Sequence, residues 1–171
     1  MKKRRLMLCS IISLIMVFVM AVPMTVSAAT NVTTADQLKA EVAKGGDITL
    51  GANIEASIEI PAGVTVTLDL NGKTLTNEAD KHTITNEGTL TIKGDGTVDN
   101  VSHARAAVYN KQGATATLSG GKFTRSKETG KSDSVSGGNS YYNILNQGEM
   151  TINDGVEVSQ TGHFSSLIDN G

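Results

Sequence analysis

The side chains in this sequence that could carry chemistry are few, and their spacing says more than their types. Asp95 and Asp154 fall in equivalent turns of a repeating pattern with no acid at the matching place between them, while Asp69 and Glu149 each stand alone in a register row. Calcium wants about six to eight oxygen ligands, and glycoside hydrolysis wants two carboxylates facing one bond. No row or short motif supplies either, so the sequence predicts no catalytic residue, no metal ligand and no cofactor in this chain. His103 and His163 each lie seven residues before an asparagine of the pattern. They would be two repeats apart, about 10 Å in a stack of strands, too far to share one ion.

The asparagines themselves are the strongest signal. Asn86, Asn110, Asn146 and Asn170 sit in four related phrases, HTITNEG, AAVYNKQG, YNILNQG and SSLIDNG, at separations of 24, 36 and 24 residues. That is one 24-residue unit with a single insertion of about half a unit, and a fixed period in this range marks a solenoid. Stacked side-chain amides at a turn bond to each other and to backbone, so the row reads as a structural ladder rather than a polar ligand site.

The elements that must position these residues follow from the pattern. Thr34–Lys44 reads as a helix, with Thr34 and Gln37 as a capping box, Asp36 in the first turn, Lys44 in the last and Gly45-Gly46 as the stop. Its apolar stripe, Ala35, Leu38 and Val42, is too short to stand alone and must dock on the end of a core. From residue 48 the period changes to two, with Thr, Val and Ile broken by Gly and Asn, which is strand and turn chemistry. Val66, Leu90, Ala116 and Met150 form one inward row, with Leu68, Ile92, Leu118 and Ile152 beside it. Counting back 24 from Asn86 places Ala62 at the equivalent corner. Residues 127–138 are polar, rich in Ser, Gly and Lys, and read as a loop projecting from one corner.

With its asparagine corners, parallel coils and N-terminal capping helix, the chain resembles the right-handed parallel β-helix, pectate-lyase-like superfamily over roughly residues 33–171. The fold class expected is all-β, a right-handed parallel β-helix with a short N-terminal capping α-helix. The resemblance implies no single function, because that fold serves lyases, hydrolases and adhesins. The acidic and Gly-His-Gly motifs of polygalacturonases are absent. Thr67, Thr91, Thr117 and Thr151 form an outward row flanked by Thr65, Thr89 and Thr115, an arrangement similar to ice-binding β-solenoids. Threonine also suits any exposed strand, and Glu149, Asp69 and Lys93 interrupt the face. Tyr141-Tyr142 beside the insertion is the one paired aromatic patch; these tyrosines and the threonine row are the candidate contact surface.

Composition sets the remaining bounds. Residues 1–29 read as a secretory signal: Lys2, Lys3, Arg4 and Arg5 precede the apolar run Leu6–Val22, then Pro23 and the small-residue site Val26-Ser27-Ala28. The only cysteine, Cys9, lies in that leader, so no disulfide is expected in the exported part. Four of the 15 Lys and Arg fall there too, leaving 11 against 17 Asp and Glu, a net charge of −6 with scattered cations. Nucleic-acid binding is therefore not expected, and the membrane is met only through the leader during export. Residues 30–47 form the capping segment and 48–171 the coils. The phrase at Gly171 closes on an open corner, so the chain is expected to be the N-terminal piece of a longer protein. The functional expectation is a secreted or cell-wall, non-catalytic, adhesin-like bacterial scaffold that contacts a host or environmental glycan or protein. The alternatives are a polysaccharide lyase or glycoside hydrolase with catalytic coils beyond residue 171, and ice binding.

Overall fold

The computed structural model describes residues 28–127, 142–159 and 167–171. Most of the leader, most of the polar insertion, Tyr141 and His163 lie outside the described residues. The described chain is a parallel β-solenoid of about four turns with one short helix near its N-terminus, as the sequence predicts. Three sheets run along the stack, and every strand pair within them is parallel.

The first sheet, called here the threonine sheet, holds Thr30–Val32, Gly46–Leu50, Thr65–Asp69, Thr89–Lys93, Thr115–Leu118 and Glu149–Ile152. A second, short-stranded sheet holds Ile54–Glu55, Lys73–Thr76, Gly96–Asp99, Lys122–Thr124 and Glu157–Ser159. The asparagine sheet holds Ile58–Ile60, Ile84–Asn86, Val108–Asn110, Ile144–Asn146 and Ile168–Asn170. Alternation puts one residue in two inside. Val66, Leu90 and Ala116 pair in register and are buried, as are Leu68, Ile92 and Leu118. The second sheet adds Ile54, Leu75, Val98 and Phe123, which completes a core without tryptophan. Each coil buries its apolar residues against its neighbours, so the stack itself supplies the core. At the last coil the inward rows open: Ile152 is 41% exposed, and Ile168 of the asparagine sheet 40%.

The helix spans Ala35–Lys44, buries Leu38 and Val42, and lies over the Gly46–Leu50 and Ile58–Ile60 strands. Thr34 caps it, its Oγ1 accepting the Gln37 N–H at 3.3 Å. The reciprocal bond falls one residue earlier than a capping box requires: Gln37 Oε1 accepts from the Thr33 N–H at 2.9 Å. Gly45 ends the helix at φ 82°, and its N–H returns to the Glu41 and Val42 carbonyls. Gly46 does not prolong the stop; it already opens the next strand. The capping segment also contains a strand the sequence reading lacks, Thr30–Val32, which adds to the edge of the threonine sheet.

The corner between the asparagine and threonine sheets has two lengths. Asn86-Glu87-Gly88-Thr89 and Asn146-Gln147-Gly148-Glu149 are short; Ile60–Thr65 and Asn110–Thr115 are two residues longer. The longer arcs close through Val64 N–H to Pro61 O and Ala114 N–H to Lys111 O. This corrects the register of the earliest corner. Ile60, not Ala62, stands opposite Asn86, because the extra residues of the arc are taken up after the strand rather than before it.

Candidate functional site

The four asparagines stand in a single row of the asparagine sheet. Asn86 Nδ2 donates to Asn110 Oδ1 at 2.8 Å, Asn110 Nδ2 to Asn146 Oδ1 at 2.7 Å, and Asn146 Nδ2 to Asn170 Oδ1 at 2.5 Å. The same amides reach turn backbone: Asn86 Nδ2 to Thr115 O, Asn110 Nδ2 to Glu149 O, and the Gly88 and Gly148 N–H groups back to Asn86 and Asn146 Oδ1. Donors and acceptors are spent on one another, which leaves the buried row little capacity for a ligand.

A second buried polar cluster, which periodicity did not reveal, lies where the second sheet turns into the asparagine sheet. Asn77 Nδ2 bonds Ser102 Oγ, and Asn100 Nδ2 bonds the Lys81 and Ala106 carbonyls. Asn100 is fully buried, so its Asn-Val-Ser sequon is closed in the folded chain, whereas the sequon at Asn31 lies on an exposed edge. The signal that could have found the cluster is the 23-residue step from Asn77 to Asn100, each directly after a strand of the second sheet.

Thr67, Thr91, Thr117 and Thr151 are in register on the outer threonine sheet, the first three half-buried and the last exposed. Asp47 heads their row, Glu149 ends the row beside it, and Lys93 pairs with Asp69 at 3.7 Å. The face is chemically mixed. Tyr142 is half-buried and precedes the strand that opens at Ile144.

The structure gathers polar side chains elsewhere, on the outer asparagine sheet near the capped end. A cleft of about 240 Å³ is lined by Ser57, Glu59, Asp80, Lys81, His82 and Arg105, among others. It continues into a hollow of about 310 Å³ against the helix, where Lys39 and Val42 join Ser57, Glu59 and Lys81. Arcs one coil apart build it, so no short motif announces it. Arg105 Nε donates to Asp80 O at 2.7 Å and its Nη1 to Ala104 O at 3.1 Å. His82 Nδ1 accepts the Ala106 N–H at 2.9 Å, and its ring lies 5.1 Å from that of Tyr109. Asp80 and Ala104 hold φ of 59° and 60°, left-handed conformations that cost a residue with a Cβ about 1–2 kcal/mol. Glu78, paired with both Lys39 and Lys81, has its carboxyl held below the usual range by those two cations.

Burial, with the Arg105 and Lys111 cations nearby, pushes the His82 imidazole down to about 4. Lys81, Glu59 and Asp80 line the same cleft, and Tyr109 covers one side of the ring. The unfolded chain takes up a proton on this histidine below about pH 6.5, while the folded one does not until about 4. Stability is therefore full above pH 6.5, falls as the pH drops toward 4, and gains no further His82 loss below that. The group is partly solvated, so the loss expected is about 1–2 kcal/mol. Urea unfolding at pH 7 and pH 4.5 measures it; the His82→Gln variant should lose this share of the pH dependence, and an unchanged slope in the variant would refute the assignment.

Among the described residues no group of three His, Cys, Asp or Glu is placed to hold a metal ion, and no helix is long and apolar enough to cross a membrane. No protein-family model, curated protein or solved structure matches the sequence.

Proposed function

We propose that this chain is a secreted or cell-surface bacterial β-helix, of the pectate-lyase-like kind, that acts as a non-catalytic, adhesin-like binding scaffold. The leader motif at residues 1–29 supports the location. The observation that carries the binding reading is the cleft over Ser57, Glu59, His82 and Arg105. Arg105 and His82 are tied to backbone on one side and line an open hollow on the other. Backbone hydrogen bonds already fix the Arg105 and His82 side chains on their arcs, so a contact surface of that kind needs no closure on binding. The partner class is a host or environmental glycan or protein.

The test is direct. The purified chain, presented to arrays of glycans and to host-surface proteins, is expected to bind at least one class in a manner lost when Arg105 or His82 is replaced. The same preparation, incubated with polygalacturonate and calcium, is expected to release no unsaturated product. Product release would overturn the scaffold reading in favour of a polysaccharide lyase.

A further inference from the structure

We propose that the Arg105–His82 corner of the cleft is a seat for a single carboxylate group on the ligand. The inference rests on the reading of the cleft as the contact surface and names what it recognises. Three observations carry it. First, Arg105 is fixed by two backbone carbonyls, Asp80 O and Ala104 O, through Nε and Nη1. Its Nη2 is left without a protein acceptor among the described residues, on a side chain that lines the cleft. Secondly, His82 accepts a backbone N–H at Nδ1. A neutral ring must then carry its hydrogen on Nε2, a second donor on a residue that lines the same cleft as Arg105. Protonating Nδ1 would set one N–H against another, so the donor stays neutral and in one tautomer. Thirdly, both residues that supply the carbonyls holding Arg105 sit at positive φ without being glycine. Backbone strain of that kind persists where the surrounding structure holds it, and it gathers at ligand clamps.

Two donors lining one cleft, one of them charged, suit a planar oxyanion. The charge of the cleft sets how much anion it accepts. Lys81 and Arg105 are balanced by Glu59 and Asp80, and Lys81 is already paired with Glu78. A multiply charged phosphate meets two carboxylates at close range, whereas a monoanionic carboxylate needs only the Arg105 charge. The group recognised is accordingly a single carboxylate and not a phosphoryl group.

The experiment is a nuclear magnetic resonance titration of the purified chain at pH 7 and constant ionic strength with sodium acetate, inorganic phosphate and sodium chloride. Acetate is expected to shift the Arg105 Nε–H and the His82 ring signals saturably and more tightly than phosphate, with chloride inert. Arg105→Gln should weaken acetate by about tenfold or more. Arg105→Lys keeps the charge and loses the fork; it should also weaken binding, and it serves if the glutamine variant does not fold. Shifts equal for chloride, phosphate as tight as acetate, or acetate binding unchanged in both variants would each overturn the carboxylate seat. If those results come from a chain that still binds its array partner, the seat fails and the scaffold stands; cleavage of polygalacturonate fails the scaffold whatever acetate does.

Discussion

Replacing Asn110 by alanine is expected to cost about 3 kcal/mol of folding stability, a large part of the total for a domain of this size. Asn110 is fully buried at the centre of its row. Its Oδ1 accepts from Asn86, and its Nδ2 donates to Asn146 Oδ1 and to the Glu149 carbonyl. Alanine removes all three bonds and leaves groups on two coils facing a space with nothing to bond. Each stranded polar group costs about 1–3 kcal/mol, but Asn86 still reaches Thr115 O and Asn146 still accepts from Gly148, which limits the sum. Asn110→Asp should be worse than alanine. A carboxylate offers no hydrogen to Asn146 Oδ1 or Glu149 O, and it would be a buried charge without a partner. Asn170, exposed at the end of the row, should lose about 1 kcal/mol or less when changed to alanine. Urea unfolding of the three variants reads the order directly. Equal losses at Asn110 and Asn170 would show that the row contributes no more than ordinary surface hydrogen bonds.

The second large effect is expected at Gly88. A Cβ built there would lie 2.4 Å from both Pro61 O and Val64 O, and at Gly148 it would lie 2.4 Å from Ala114 O and 2.5 Å from Lys111 O. In each pair the short corner of one coil nests inside the long corner of the coil before it. The obstacle is backbone on either side, which cannot swing away as a flexible side chain could. Gly88→Ala should therefore cost about 3 kcal/mol, at the upper end of what overpacking does. Gly113 gives the contrast. It sits on a long corner with no atom within 4 Å of the added Cβ, and its φ is 83°. Its requirement is conformational, so Gly113→Ala should cost about 1 kcal/mol and Gly113→Asn less, since asparagine tolerates that conformation. Thermal unfolding of the pair separates the two causes. If Gly88→Asn were as mild as Gly113→Asn, the nesting account would fall.

Much of the architecture was legible because period-two alternation survives in a chain that packs only against its own neighbours. Thr65-Val66-Thr67-Leu68 and Thr89-Leu90-Thr91-Ile92 announce both their strand character and their mutual register. The second sheet was harder to read. Its strands run from two to four residues, too short to display a period, and Leu75 or Val98 alone does not announce an element. The Ala62 misplacement has the same origin: a constant 24-residue count ignores that corners differ in length. The cleft was not legible at all. His82 and Arg105 are 23 positions apart and meet only because the arcs of adjacent coils lie side by side. What fixes their orientation is backbone, Ala106 N–H and the Asp80 and Ala104 carbonyls, and backbone leaves no trace in residue type. The left-handed Ala104 is equally silent in the sequence.

The alternation of long and short corners gives the stack a parity. Long at Pro61–Val64, short at Glu87-Gly88, long at Lys111–Ala114 and short at Gln147-Gly148, the corners fit as interlocking pairs. Along this edge the structural repeat is thus two coils, although Asn86, Asn110, Asn146 and Asn170 stand in successive coils. Duplication of one coil in the gene would set like against like: two long arcs with no glycine nested between them, or two short ones with nothing to nest in. Duplication of a pair restores the interlock at once. Lengthening of such a protein by tandem copying should accordingly favour even steps.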